Sequence, residues 1–114
     1  MADTNYMFLS SLEKVVYGWL TKNNIRFTMQ NRFGGFMEAG SIVVDFILIE
    51  FNIVLRIMGS YWHTGLEAEG RDIMGKELLI GQGYQVVDLW EENLAPDKLE
   101  GTMQLALQGQ EAPR

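Results

Sequence analysis

Between Ser41 and Gly59 the chain reads SIVVDFILIEFNIVLRIMG, two runs of branched and aliphatic residues with a polar break. Each run, Ser41 to Ile49 and Ile53 to Met58, has the length of a strand, and Glu50-Phe51-Asn52 is the predicted turn between them. Neither run alternates polar with apolar, so neither can leave a face in water. Strands apolar on both faces belong in the middle of a sheet that is covered on both sides. A layered α/β fold follows. The stretch from Ile42 to Met58 is interrupted by Asp45, Glu50, Asn52 and Arg56. It is too broken to read as a membrane span.

The rest of the chain supplies the cover. Phe8, Leu9, Leu12, Val15, Val16, Trp19 and Leu20 recur at three- and four-residue spacing, which predicts a helix from Met7 to Lys22 with a broad apolar face. Asn23-Asn24 stops it. Ile25 to Met29 reads as a short strand followed by Gln30-Asn31, and Gly34-Gly35 and Gly40 punctuate a loop or hairpin. Thr64 to Gly83 is a second helix candidate with Leu66, Ile73, Met74, Leu78 and Leu79 as its apolar positions, which Gly70, Gly81 and Gly83 weaken or end. Tyr84 to Trp90 is a further strand. Ala95-Pro96-Asp97 opens a last helix with Pro96 in its first turn, and Leu99, Met103, Leu105 and Ala106 give it an apolar side. Loose ends are expected over 1–6 and 109–114. The order predicts a single domain over 1–114, an α/β/α three-layer sandwich around a small mixed β-sheet.

Composition narrows the chemistry. The chain of 114 residues has no cysteine, which excludes a disulfide framework and a thiolate zinc site. Nine Lys and Arg stand against fifteen Asp and Glu, a net charge of −6 that weighs against avid non-specific binding to DNA. Carboxylates that hold a divalent metal are counted in that total, so a nuclease is not excluded. The start, Met1-Ala2-Asp3-Thr4-Asn5, lacks the basic region and apolar run of a secretory leader. A soluble intracellular protein is expected.

Four polar residues stand where a bland sequence would not put them. Asp45 lies inside Ile42-Val43-Val44-Asp45-Phe46-Ile47-Leu48-Ile49, and a carboxylate in a central strand is costly unless paired or on a metal. Hairpin geometry sets it opposite Arg56 to Met58, so an Asp45–Arg56 ion pair without chemistry is one reading. Glu13 shares the shoulder of the buried helical stripe with Leu9, Val16 and Leu20; a boundary glutamate whose head reaches water would look the same. His63, the only histidine, follows Tyr61-Trp62. An unperturbed imidazole titrates near neutral pH, so as a catalyst this residue could take a proton from water, although a histidine beside aromatics is often structural. Asp72 sits early in the second helix, where an acid also complements the dipole. Phosphodiester cleavage needs carboxylates for a metal, a base for water and a cation for developing charge. These segments can supply that set from one edge of the fold.

The pieces VVDF, VLRIMGSYWH, RD and GYQVVDLWEENL resemble, in order and spacing, the very-short-patch mismatch-repair endonucleases. They are also similar to the EDxHD homing endonucleases and small phage-type relatives, all within the PD-(D/E)xK, or restriction-endonuclease-like, superfamily. The resemblance covers roughly Leu12 to Leu94. It implies an αβββαβ core followed by a C-terminal helix, and a Mg²⁺ (or Mn²⁺) cofactor. Asp45 matches the strand aspartate and would be the principal metal ligand; Glu13 matches the helix glutamate. His63 would be the general base or water-orienting group, with Glu13 and Asp72 supporting it. Tyr61 and Trp62 stand where mismatch-repair members wedge aromatics between bases. Where the superfamily has Glu-x-Lys, this chain has Arg56-Ile57-Met58. A backbone carbonyl from Ile57 would serve as metal ligand in place of the glutamate, and Arg56 would steady a phosphate.

Two functions are therefore expected. One is a metal-dependent DNA endonuclease or nicking enzyme, working in the cytoplasm of a prokaryote or of a phage-infected cell. The other is a non-catalytic nuclease-fold module that binds DNA or a protein, with Arg56 neutralising Asp45. Lys76 and Arg71, with Lys14, Lys22, Arg26 and Arg32, are the cations for phosphate contacts. A homodimer, each subunit reading half of a DNA site, is compatible with so small a nuclease. No membrane partner is expected, and attack on RNA remains open.

Overall fold

Four strands running in sequence order build the sheet: β1 (Phe27–Phe33), β2 (Ile42–Leu48), β3 (Ile53–Met58) and β4 (Gln85–Trp90). The structure is a computed structural model and describes residues 11–33, 42–58 and 76–113. β1–β2 and β2–β3 pair antiparallel, whereas β3–β4 pair parallel. A parallel pair needs a long crossover, and the segment joining β3 to β4 includes helical residues 76–81, here α2. Among the described residues the remaining elements are α1 (Ser11–Lys22), a 3₁₀ turn (Glu91–Leu94) and α3 (Leu99–Ala106).

The β2–β3 turn forms where the polar break predicts it. The amides of Phe51 and Asn52 both donate to the Leu48 carbonyl, at 3.2 and 3.0 Å. Asn52 takes φ 58, and its side-chain amide donates to the Gly83 carbonyl at 2.9 Å, tying this turn to the start of β4. Asparagine is among the few residues that tolerate such a backbone angle.

Some bounds differ from the sequence expectation. β1 starts two residues late and runs on through Gln30, Asn31 and Arg32, because it pairs residue for residue with β2 from Phe27↔Leu48 to Phe33↔Ile42. Ladder hydrogen bonding carries the strand through residues whose side-chain pattern gives no strand signal. The last helix begins at Leu99, not at Ala95-Pro96-Asp97. There the amides of Lys98 and Leu99 both donate to the Ala95 carbonyl at 2.9 Å, a separate turn that precedes the helix. The first helix is described from Ser11 and the second from residue 76, so the earlier parts of both expectations lie outside the described residues.

The three described helices end in the same hydrogen-bond pattern. Ile25 donates to Leu20, Tyr84 to Leu79 and Gln110 to Leu105, each spanning five residues. The residue before each donor has positive φ: Asn24 at 58, Gly83 at 97 and Gly109 at 76. This is the Schellman arrangement, which caps the last carbonyls of a helix and turns the chain out of it.

The two faces of the sheet are covered by different elements. On the first face Phe46, Leu48, Leu55, Ile57, Val87 and Leu89 pack with Val16, Trp19 and Leu20 of α1 and Met103 and Ala106 of α3. On the second, Ile47 and Val54 pack with Leu79 of α2, flanked by Tyr84 and Val86. β3 is buried at all six positions, as the lack of alternation in its sequence requires. Full burial of each such aliphatic or aromatic side chain contributes about 1.5–3 kcal/mol against leaving it in water. The architecture is thus mixed α/β around a four-stranded mixed sheet. Among the described residues, no helix is long and apolar enough to cross a membrane.

Candidate functional site

One row of polar residues crosses the whole sheet at a single level. In register, Gln30 of β1 meets Asp45 of β2, Asp45 meets Arg56 of β3, and Arg56 meets Asp88 of β4. The side chains of Gln30 and Asp45 lie outside the described residues; those of Arg56 and Asp88 do not. Both are buried, at 3% and 5% exposure. The guanidinium grips the carboxylate twice, Nε to Oδ1 at 2.7 Å and Nη2 to Oδ2 at 3.1 Å. A fork-to-fork pair is the strongest geometry open to these groups. Burial strengthens their attraction while making either group alone very costly.

Two more charged groups close the β4 end of this row. Lys76, on the first described turn of α2, places Nζ 3.6 Å from Asp88 Oδ2 and 3.1 Å from Glu111 Oε2. The same Glu111 oxygen accepts the backbone N–H of Asp88 at 3.2 Å. Burial of the Lys76 ammonium opposes its charge, but Asp88 and the hydrogen-bonded Glu111 outweigh that and hold its pKa above the ordinary value. The C-terminal segment runs on from Glu111 to Ala112, whose carbonyl accepts from the Asn93 side chain at 3.3 Å. Earlier in that segment Gly109 lies close against the Gln85 side chain, where an added Cβ would come within 2.8 Å of its Oε1. Gln85, Asp88 and Asn93 follow one another along and beyond β4, so the tail lies beside the outer edge of that strand.

The residues singled out in the sequence fall into three groups. Asp45 and Arg56 are brought together as register partners on adjacent central strands. Lys76 joins Arg56 through their shared partner Asp88. Glu13 and Ile57 belong to the other side of the sheet: Glu13 is half-buried on α1, the helix that covers the face carrying the Ile57 side chain. The parity of β3 sets Arg56 and Ile57 on opposite faces, yet leaves the Ile57 backbone one residue from the Asp45 level. His63, Asp72, Tyr61, Trp62 and Arg71 lie outside the described residues. Among the described residues no group of three or more His, Cys, Asp or Glu is placed to hold a metal ion.

Sequence reasoning passed over Asp88 and Glu111. The signal for Asp88 was present: a lone carboxylate within Gln85-Val86-Val87-Asp88-Leu89-Trp90, the same anomaly that marks Asp45. Nothing local distinguishes Glu111, which acquires its role only because the chain folds back along β4. No family model, curated protein or solved structure matches the chain.

Proposed function

We propose that this chain is a metal-dependent DNA endonuclease or nicking enzyme with a restriction-endonuclease-like core. The observation that carries the reading is the β2–β3 register. It sets Asp45 against Arg56, one residue from the Ile57 carbonyl, on adjacent central strands. These are the positions the family resemblance assigns to a metal-ligating carboxylate and a metal-ligating peptide oxygen. The element order α1-β1-β2-β3-α2-β4, with a parallel last pair, supports the same core.

The donor chemistry fits Mg²⁺ or Mn²⁺. Asp45 and the Ile57 carbonyl are hard oxygen ligands, the kind these ions take, whereas Glu13 sits on the helix that covers the opposite face and is not counted among them. The β3 guanidinium is matched by Asp88 from the far side, so its charge does not stand unbalanced against a cation near Asp45. When bound, the ion supplies Lewis acidity and a water acidic enough to be deprotonated near neutral pH. The chain's own groups do the rest. His63 would take the proton from the attacking water, and Asp72 would orient the imidazole and the water. Tyr61 and Trp62 stack on bases, while Arg71 and Lys76 meet phosphates. Arg56, at 3% exposure, is a positioning residue for β3 and not a group that meets the substrate.

The same register also favours a second reading. With Arg56 directly opposite Asp45, the guanidinium can serve both acids, and the chain is then a non-catalytic module that binds DNA or protein. Cleavage of supercoiled, branched and mismatched DNA with Mg²⁺ or Mn²⁺ separates the two. The enzyme reading expects cutting that is lost in Asp45→Ala and His63→Ala. It is abandoned if the wild-type chain is inert on all three substrates, or if both variants cut as well as wild type. Calorimetry with Mg²⁺ gives the independent arm: an enzyme shows a binding event that Asp45→Ala abolishes, and the module shows none.

A further inference from the structure

One oxygen atom of the C-terminal segment sits where two strong donors converge. Glu111 Oε2 accepts from the Asp88 backbone N–H at 3.2 Å and from Lys76 Nζ at 3.1 Å. An outward backbone amide on a strand edge joined to an ammonium is a donor set that suits a phosphate oxygen. With Glu111 removed, Lys76 keeps Asp88 at 3.6 Å, a carboxylate that the Arg56 guanidinium already grips twice. The ammonium and the Asp88 backbone N–H are then the two donors left facing the vacated seat. The Lys76 and Glu111 side chains are 33% and 35% exposed, so the seat opens to solvent.

We propose that this is an oxyanion-binding seat for a phosphate group, filled in this conformation by the chain's own Glu111 carboxylate. The C-terminal segment then acts as a strap. It shields the outer edge of β4, a strand edge that would otherwise present unpaired backbone groups. It also holds Lys76 away from external anions until one displaces it. Among the described residues the strap is tied down by the Asn93-to-Ala112 hydrogen bond at 3.3 Å, the Gln110-to-Leu105 backbone bond at 3.0 Å and the approach of Gly109 to Gln85. Its departure breaks no buried apolar packing at Glu111 itself, which is exposed. The seat stands on these contacts alone; assigning it to a DNA phosphodiester rests on the nuclease reading above.

The test uses the full-length chain without divalent metal. Inorganic phosphate and a short DNA duplex are titrated separately into wild type, Glu111→Ala and Glu111→Ala/Lys76→Met at matched ionic strength. The amide resonance of Asp88 is followed alongside affinity. Glu111→Ala is expected to bind both probes at least severalfold more tightly than wild type, with the Asp88 amide shifting as phosphate is added. Lys76→Met in that background removes the gain. Glu111→Gln, which keeps the acceptor and the tether but not the charge, shows a smaller gain in the same direction and stands in should Glu111→Ala fold poorly. Unchanged phosphate affinity in both Glu111 variants, a gain that survives Lys76→Met, or a silent Asp88 amide overturns the seat. A gain for inorganic phosphate with none for the duplex keeps the seat and overturns its assignment to nucleic acid. Loss of DNA cleavage by other substitutions bears only on the nuclease reading.

Discussion

Arg56 and Asp88 face each other across the parallel β3–β4 ladder and are joined by two hydrogen bonds of 2.7 and 3.1 Å, with both side chains almost wholly removed from water. Such a pair stabilises mainly in the negative sense: each group makes the other tolerable. Arg56→Met leaves Asp88 buried with Lys76 as its remaining cation among the described residues, and Asp88→Leu leaves a buried guanidinium that has lost its fork. Each single change is expected to cost about 3–5 kcal/mol, and the double change much less than the sum, because an apolar pair of similar size packs on the same face. Urea unfolding of the four proteins measures this. Additive losses would show that the two side chains are energetically independent, contrary to the geometry.

Lys76 gives a prediction about alkaline pH. Its pKa in the folded chain is raised, net of burial, by Asp88 and Glu111. A cation whose folded pKa exceeds its unfolded one contributes stability fully below the unfolded value. That contribution disappears as pH climbs through the higher folded value. Wild type should therefore be more stable than Lys76→Met at neutral pH, and the gap should close in the strongly alkaline range. Glu111→Gln should narrow the same gap, since it removes one of the two anions responsible. A gap that stays constant through the alkaline limb would mean that Lys76 acts through packing of its stem.

At the acid end the marker is Glu100. Its carboxylate accepts from the Gln104 side-chain amide and from the Trp19 indole N–H, both at 2.8 Å, and these bonds hold its pKa below the ordinary carboxylate value. The sign is opposite to that of Lys76. A depressed folded pKa contributes stability above the unfolded value and loses it as pH falls through the folded one. Wild type and Glu100→Gln should differ at neutral pH and converge in acid. Trp19 is buried against the core, so its fluorescence reports the same titration. An emission that is flat across the acid range before unfolding would argue against the bond.

The parts of this fold that could be read in advance are those that one stretch of chain determines. Val54, Leu55 and Ile57 announce a strand needing cover on both faces, and Val16, Trp19 and Leu20 announce a helix with one apolar stripe; the sheet and its covering helices realise both demands. Gln30 to Arg32 were illegible because their strand is imposed by pairing with β2, not by their own pattern. Asp45 opposite Arg56 follows from the turn at Glu50 to Asn52, a local count, and was therefore accessible. The Asp88 partnership depends on a parallel register fixed by a crossover, which no local count supplies. Glu111 lies further still from any sequence signal, since its contacts are with residues 23 and 35 positions away.

Glycine positions separate backbone strain from crowding. Gly18 in α1 and Gly101 in α3 are exposed, and a Cβ added at either meets nothing within 4 Å. Both lie inside helices, where glycine loses more backbone entropy than alanine, so Gly18→Ala and Gly101→Ala should each stabilise by about 0.5–1 kcal/mol. Gly83 also has open space around its missing Cβ, but its φ is +97. There the same substitution should destabilise, by roughly 1–2 kcal/mol, because a side chain disfavours that backbone angle whatever the room around it. The Asn52 side chain donates to the Gly83 carbonyl, so a shift at this cap should also loosen the β2–β3 turn. Urea midpoints for the three alanine variants, with hydrogen exchange at Phe51 and Asn52 in Gly83→Ala, provide the measurement. A neutral Gly83→Ala with unchanged exchange would mean that the cap relaxes to an ordinary helical end without cost.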